Sequence, residues 1–186
     1  MNIEIERRFL VRADELPPGH RWVLPYKDST IIQTYLTVPP GSPPGMTERL
    51  RLRMKSTEFT ESWEYTHTVK VPVPEVHGSQ EDERVVSPYD YHRLLARADR
   101  SCVPVHKLRR VFTWDPAPRD RDVMQKGWTF ELDIYGVPFE GLVVLEVELP
   151  AINNHLELPS FIPIEREITG ERAYSNFGLA RLGRCP

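Results

Sequence analysis

Apolar and polar residues alternate in most of the patterned segments of this chain. In residues 3–11 the apolar side chains fall mainly on odd positions, and the even positions include Glu4, Glu6 and Arg8. Because successive side chains of a strand point to opposite faces, this alternation predicts a β-strand with one charged face. Two acids on one face repel each other unless a positive charge lies nearby, so the face is either solvated or half of a cation site.

The same alternation predicts six further strands, and residues 30–38 are predicted to be a strand because they are rich in β-branched and aromatic residues and end before Pro39. In residues 47–55 three arginines share one face at spacing two, which an amphipathic helix would not produce. Helical spacing predicts one helix over residues 89–100 and a second after Thr169, taken as its N-cap. Residues 12–28 and the turn-rich insert 115–126 are predicted to be loops. The predicted strands cover residues 1–11, 30–38, 47–55, 62–71, 79–87, 103–114, 127–136 and 141–150.

The charged faces are sorted by sign. A face turned to solvent is the usual arrangement for an antiparallel sheet, but such a face more often mixes signs within a strand. Eight antiparallel strands can close into a barrel that holds one small ligand. The predicted fold class is therefore α+β, mainly antiparallel β: an eight-stranded closed tunnel with a charged interior, covered by a few helices. The acidic pairs are Glu4/Glu6, Glu81/Glu83, Glu131/Asp133 and Glu146/Glu148, and the basic sets are Arg49/Arg51/Arg53 and Lys107/Arg109.

Composition narrows the class of protein further. With 186 residues and 27% charged residues, the chain is predicted to be a single globular domain over 1–186. A net charge of −3 argues against a nonspecific nucleic-acid binder. Cys102 and Cys185 show no metal or disulfide spacing, and no secretory signal or long apolar segment is present, so we expect a cytoplasmic protein without a membrane partner. The oligomeric state stays open, with a homodimer as one alternative.

The sorted charges suit one kind of ligand. Paired carboxylates are hard oxygen ligands, suited to Mg²⁺ or Mn²⁺. Rows of arginine and lysine suit phosphate oxygens, with the guanidinium giving a bidentate fork. Each pair alone is weak evidence, since two glutamates at spacing two more often form a solvated face. Together, the acidic pairs and basic rows predict a site for a polyphosphate or a nucleoside triphosphate with its metal ions.

Residues 4–8 (E-I-E-R-R) are similar to the E-x-E-x-K signature of the CYTH, or triphosphate tunnel metalloenzyme, superfamily. Motifs along nearly the whole chain resemble its bacterial-type branch in the same order. The resemblance implies an eight-stranded antiparallel tunnel whose acids bind one or two divalent metals and whose cations bind a triphosphate. The further matching motifs are Q-T-Y-L at 33–36, the R-L-R-L-R run, T-V-K at 68–70, E-x-E at 81–83, K-L-R at 107–109, E-L-D-I-Y at 131–135, L-E-V-E-L at 145–149 and I-T-G-E-R-A-Y-S-N at 168–176.

By matching positions, the resemblance implies a role for each charged set. The catalytic group would be Arg8 with Glu4 and Glu6. The phosphate-binding set would be Arg49, Arg51, Arg53, Lys70, Lys107 and Arg109. The metal ligands would be Glu4, Glu6, Glu146 and Glu148, with Glu81, Glu83 and Asp133 as further candidates.

The chain departs from the family pattern at three positions. Arg8 stands where the signature has lysine, and it keeps the charge but cannot release a proton near neutral pH. Ser79 and Ala173 stand where the bacterial branch tends to carry arginine. These departures make the reaction harder to predict than the fold.

The leading functional prediction is a divalent-metal-dependent inorganic triphosphatase with Mg²⁺ or Mn²⁺ as cofactor and a small-molecule triphosphate as substrate. The alternatives within the superfamily are a thiamine triphosphatase and a class IV type adenylyl cyclase. The alternative from another class is a non-catalytic polyphosphate- or nucleotide-binding module. The histidines and tryptophans are predicted to be structural or surface groups, with Trp22, Trp63, Trp114 and Trp128 in the core or covering it.

Overall fold

Nine strands and two helices make up this protein in a computed structural model that describes residues 2–17, 24–56, 60–76, 78–115 and 127–186. Single 3-10 turns cover Ala13–Glu15, Pro74–Val76 and Arg172–Tyr174. No helix in these ranges is long and apolar enough to cross a membrane. The strands are β1 (Asn2–Val11), β2 (Tyr26–Leu36), β3 (Thr47–Ser56), β4 (Glu61–Val73), β5 (Gly78–Val85), β6 (Val105–Trp114), β7 (Trp128–Tyr135), β8 (Val143–Leu149) and β9 (Ile164–Glu167), and the helices are α1 (Pro88–Leu95) and α2 (Asn176–Leu182).

The first eight strands form a closed antiparallel barrel, which confirms the predicted tunnel. Their order is β5-β4-β3-β2-β6-β7-β8-β1, and β1 closes the ring by pairing with β5. This seam is short, joining Asn2–Glu4 to residues 79–81. A Cβ at Gly78 would lie 2.7 Å from the Glu4 carbonyl oxygen, so only glycine allows the two backbones to approach this closely.

Two strands run further than predicted and one was missed. Strand β2 begins at Tyr26, inside the predicted loop, because Arg110 of β6 bonds Asp28 through two nitrogens and its guanidinium lies over the Tyr26 ring. Strand β4 continues past Pro72, which is tolerated because β3 pairing ends at Lys70 and leaves one edge of β4 unpaired. Strand β9 has four residues, too few for an alternating pattern to reveal, and it pairs with the end of β1.

Both predicted helices exist, with different bounds. Ser87 caps α1, and α1 ends at Leu95 because the following backbone turns to β2: the Asp99 N–H donates to the Tyr35 carbonyl. The prediction of Thr169 as N-cap is wrong. Its hydroxyl instead accepts from the Arg8 N–H and donates to Glu167, and Ser175 caps α2.

Apolar side chains cover the outside of the barrel in two places. One cluster on β1, β7 and β8 includes Phe9, Phe130 and Leu145, with Trp114 and Trp128 packed against it. The other places α1 over β2 and β3 through Tyr91, Leu36 and Leu50. Trp63 is an exception to the prediction, being 52% exposed. His20, Trp22, His77 and residues 116–126 of the predicted insert lie outside the described residues.

The segment that ends in α2 packs against the tunnel-facing side chains at one end of the barrel. These inward side chains are apolar or aromatic here, and they pack together with Leu179 and Ala180 of α2. A Cβ at Gly178 would lie 1.9 Å from the Arg172 carbonyl oxygen, so glycine is required where α2 meets its preceding turn. The inward members of this cluster are Tyr35, Val105, Tyr135 and Val144.

Candidate functional site

Because of the strand order, the strands with acidic pairs and the strands with most of the cations lie in two separate halves of the tunnel wall. Strands β7, β8, β1 and β5 are consecutive neighbours and carry the acidic pairs. Strands β4, β3, β2 and β6 complete the ring, and they carry most of the cations, with β2 neutral on its inner face. Registered pairs such as Glu6 with Glu148 and Arg109 with Asp133 place the charged rows on one shared inner face.

Five charged side chains on β1, β6, β7 and β8 form what we call the buried cluster: Arg8, Lys107, Arg109, Asp133 and Glu146. Asp133 is fully buried and accepts from Lys107 at 2.5 Å and from Arg109 through two nitrogens at 2.6 Å. Glu146 accepts from Arg8 and Arg109, each at 2.8 Å. Arg109 also pairs with Glu131 of the same acidic face.

The pKa shifts in the buried cluster follow from these contacts. Burial alone would raise the pKa of Glu146, but Arg8 and Arg109 beside it hold that pKa well below its usual range. Burial and the charge of Arg109 lower the pKa of Lys107 to about 8, despite its pairing with Asp133. Glu146 is therefore ionised, and both acids of the cluster are bonded to cations of the same cluster.

The segment before α2 and its first residue hold the buried cluster from the end of the tunnel. Arg8 donates from Nη2 to the Tyr174 carbonyl oxygen at 2.9 Å. The Asn176 amide oxygen accepts from the Tyr135 hydroxyl at 2.8 Å and from Lys107 at 3.3 Å. Sequence reasoning assigned no role to Asn176, although it ends the quoted 168–176 motif, because no residue spacing places a C-terminal helix beside a strand.

Three inward arginines of β3 form what we call the arginine ladder: Arg49, Arg51 and Arg53. Their ion pairs are longer than those of the buried cluster, at 3.3 Å from Arg49 to Glu81, 3.3 Å from Arg51 to Glu83 and 3.6 Å from Arg53 to Glu64. The buried Nε atom of each ladder arginine has no hydrogen-bond partner within the described ranges. Burial and the charge of Arg49 lower the pKa of Arg51 to about 10.

The predicted metal ligands Glu4 and Glu6 differ from the acids of the buried cluster. Burial and the charge of Glu81 raise the pKa of Glu4 to about 7, and the two carboxyls share a hydrogen bond. Burial and the charge of Glu146 raise the pKa of Glu6. Lys70 pairs with Glu81 at 2.6 Å and only distantly with Glu4, at 3.9 Å. Crowded carboxylates without enough positive charge are those that a divalent cation would stabilise.

The donor set on this wall therefore fits a hard divalent cation. Glu4 and Glu6 lie on β1, and Glu148 lies opposite Glu6 on β8. Within the described ranges, no group of three acidic, histidine or cysteine side chains already stands at metal-binding distance. Glu81, Glu83, Asp133 and Glu146 contact cations of the protein at 2.5–3.3 Å, whereas the ion pairs of Glu4 and Glu6 are 3.9 Å long. The chemistry of the donors thus favours Glu4, Glu6 and Glu148 among the predicted ligands.

The other residues singled out in the sequence have simpler surroundings. Ser79, at a position where the bacterial branch tends to carry arginine, is buried opposite Glu4 at the barrel seam. His67 lies on the outer face, where it bonds Glu48 at 2.7 Å, as expected of a structural histidine. Glu64 is about one-third exposed and pairs with Arg53 and Lys55.

A closed eight-stranded tunnel with one acidic and one basic half defines the class of this protein. A family model described as the CYTH domain matches residues 2–160, so the chain belongs to the CYTH domain family. This confirms the family proposed from the E-x-E motif and the motifs after it. No curated protein matches the chain.

Solved structures resemble this fold over most of their length. The crystal structure of the inorganic triphosphatase NE1496 shares 27% identity and a TM-score of 0.53, covering 97% of this chain and 96% of its own. The crystal structure of the hypothetical protein NE1496 shares 27% identity and a TM-score of 0.52, with coverage of 96% and 97%. The PH1819 protein from Pyrococcus Horikoshii OT3 shares 18% identity and a TM-score of 0.52 over 80% of each chain, a likeness of fold alone.

Proposed function

We propose that this protein hydrolyses an inorganic triphosphate with the help of a divalent metal ion inside the tunnel. The observation that carries the proposal is the division of the inner face of the barrel into an acidic half and a basic half. A linear polyanion with its metal ions is complementary to both halves at once. The similarity to the inorganic triphosphatase NE1496 supports this choice of substrate.

Each half has a distinct task in this proposal. The arginine ladder binds phosphate oxygens, because its existing pairs are long and its Nε atoms have no partner within the described ranges. Lys70 adds an ammonium group with three donors, although it already pairs with Glu81 at 2.6 Å. Glu4, Glu6 and Glu148 would hold the metal ion, Mg²⁺ or Mn²⁺. When bound, such an ion neutralises charge on the phosphate oxygens and makes the phosphorus easier to attack. The protein itself contributes positioning and charge stabilisation, which dominate phosphoryl transfer.

Arg8 replaces the signature lysine and is held rigidly. Its side chain is only 6% exposed and is fixed by Glu146 and the Tyr174 carbonyl. A guanidinium in this place stabilises negative charge but cannot act as a general acid near neutral pH. If charge placement is sufficient, the native protein is active, and we expect Arg8→Lys to change the rate by roughly tenfold or less, about 1.4 kcal/mol of barrier.

The test is phosphate release from tripolyphosphate, thiamine triphosphate and ATP, with Mg²⁺ and separately Mn²⁺, across a pH series. Arg7→Lys is the matched control, since Arg7 directly precedes Arg8 in the sequence but points outward to Glu167. Native activity on tripolyphosphate, unchanged in Arg7→Lys, supports the proposal. If the native protein is inert and Arg8→Lys hydrolyses tripolyphosphate faster by orders of magnitude, the proposal is excluded.

That second outcome would favour a triphosphate-binding module, the alternative suggested by the arginine at position 8. In that case the native protein binds tripolyphosphate with metal but releases no phosphate. Preference for thiamine triphosphate would identify the organic substrate instead. If the product formed from ATP is cyclic AMP and not ADP, the protein is identified as a cyclase.

A further inference from the structure

At the level of Arg51, the arginine ladder has a neutral polar neighbour on each side. The register places Gln33 of β2 opposite Arg51 of β3, and Arg51 opposite Thr66 of β4. The three side chains therefore form one row across three strands on the inner face. The corresponding neighbours of Arg53 are Ile31 and Glu64, and those of Arg49 are Tyr35 and Thr68.

Every member of this row has a buried polar atom without a partner among the described residues. Gln33 is 1% exposed and Thr66 is 3% exposed. Gln33 Oε1, Arg51 Nε and Thr66 Oγ1 make no hydrogen bond to the part of the chain that the structure describes. An unpaired buried polar atom destabilises a fold, so three in one row indicate a group that the row is built to bind.

The charge of the row selects an anion. Arg51 repels a metal ion, and among the described residues only Glu83 forms an ion pair with it, at 3.3 Å. Glu83 also accepts from Thr68 and is 37% exposed, so it balances Arg51 incompletely. A hydroxyl and a guanidinium N–H both donate to an oxygen, and a half-turn of the Gln33 amide presents its NH₂ group as well.

We propose that Gln33, Arg51 and Thr66 form an anion subsite in which two neutral side chains and one guanidinium bind a single phosphoryl group of the triphosphate. This inference rests on the proposed function for the identity of the ligand. Gln33 and Thr66 act as specificity-determining residues, because neutral donors satisfy phosphate oxygens without adding charge to the crowded ladder. Neither residue follows from the sorting of charges in the sequence.

The test is calorimetric titration with tripolyphosphate, with and without Mg²⁺, together with thermal unfolding of the free proteins. We expect Thr66→Val and Gln33→Met each to weaken binding about tenfold, while the free variants unfold at the same temperature as the native protein or higher. Replacing an unpaired buried polar group by an apolar one of similar shape is close to neutral for stability. Thr66→Ser keeps the hydroxyl and is expected to bind within about twofold of native.

Thr68→Val is the matched control, because Thr68 lies on the same face of the same strand but already donates to Glu83 at 2.8 Å. This variant is expected to lower the unfolding temperature of the free protein and to weaken binding less than Thr66→Val does. If Thr66→Val lowers stability as Thr68→Val does and leaves affinity unchanged, the hydroxyl is structural and the subsite is wrong. Native-like affinity of Gln33→Met also overturns it.

Failure of the subsite and failure of the proposed function give different results. A native protein that binds tripolyphosphate without hydrolysing it contradicts the proposed function, while the affinities of the variants still decide the subsite. A native protein that hydrolyses tripolyphosphate, with variants of unchanged affinity, contradicts the subsite alone. Absence of any tripolyphosphate binding by the native protein contradicts both.

Discussion

The cations of the buried cluster and those of the arginine ladder all face the inside of the barrel, but they are bonded differently. In the buried cluster, every cation contacts a carboxylate at 2.5–2.8 Å. In the ladder, the ion pairs are 3.3–4.0 Å long and the Nε atoms are unpaired within the described ranges. The cations of the first set are therefore bonded more closely within the protein than those of the second.

The cause of this difference is the identity of the neighbouring strand. Arg109 of β6 lies directly opposite Asp133 of β7, so a carboxylate is within reach without extending the side chain. Strands β3 and β6 both lie beside β2, so they differ in their other neighbour, which for the ladder is β4 with Thr68 opposite Arg49 and Thr66 opposite Arg51. The acids nearest to these two arginines come from β5, two strands away, and reach the guanidinium groups at longer distance. A cation with neutral neighbours on both adjoining strands is thus the better candidate for ligand binding.

The largest effect is expected from breaking the buried cluster. Asp133→Asn removes the charge that pairs with Lys107 and Arg109 and leaves two cations buried. We expect the free energy of unfolding to fall by about 3–5 kcal/mol, the usual result of removing one partner of a buried ion pair. Urea unfolding of the metal-free protein measures it.

The control is Glu83→Gln, which removes a ladder partner that is 37% exposed. Its loss of unfolding free energy is expected to be about 1 kcal/mol or less. Equal losses of unfolding free energy in Asp133→Asn and Glu83→Gln would show that the ion pairs of the buried cluster contribute no more to stability than those of the ladder.

The ladder is expected to dominate binding. Tripolyphosphate stabilises the native state by mass action, about 2.7 kcal/mol at a concentration of one hundred times Kd, and orthophosphate contacts fewer cations and stabilises less. Arg51→Ala or Arg53→Ala is expected to remove most of the rise in Tm caused by tripolyphosphate. Thermal unfolding with each anion measures the effect. Arg93→Ala, an exposed site on α1 with a side chain 70% exposed, is the control. Equal shifts with orthophosphate and tripolyphosphate would contradict an elongated site.

The smallest expected effect is on the pH dependence of stability, which differs between acids in different surroundings. The pKa of Glu4 rises from 4.5 to about 7 on folding, so the folded state binds the extra proton and stability falls as pH increases between these values. Glu4→Gln is therefore expected to stabilise the metal-free protein at pH 8 and to have no effect near pH 4. Because Glu4 is 36% exposed, screening limits the gain to about 1 kcal/mol.

Glu81 supplies the opposite sign on the same wall. Burial would raise its pKa, but Arg49 and Lys70 lower it, so its contribution to stability is present at neutral pH and is lost on acidification. Glu81→Gln is expected to destabilise the metal-free protein at pH 8. Thermal unfolding with a chelator from pH 4 to pH 8 compares the variants, and a parallel response of both would contradict the assigned pKa directions.

Particular residues show where prediction from the sequence succeeded. Alternation located seven of the eight barrel strands, because their inward and outward faces differ and side chains alternate strictly, and β-branched and aromatic residues located β2. It missed β9, which is too short for a pattern, and it placed the start of β2 too late, because pairing with Arg110 of β6 extends that strand. The cap of α2 was misplaced because Thr169 bonds Arg8, a residue distant in the sequence.

The sequence by itself determined the tunnel, its charged interior and the family, since these depend on side-chain types at fixed local spacing. Only the tertiary structure decided which charges satisfy one another. Spacing puts Arg49, Arg51, Lys107 and Arg109 in equivalent positions, and the strand order gives some of them carboxylate neighbours and others neutral ones. Ion pairing falls steeply with distance and with solvent exposure, so neighbours across the barrel, not neighbours along the chain, determine which cations remain available for a ligand.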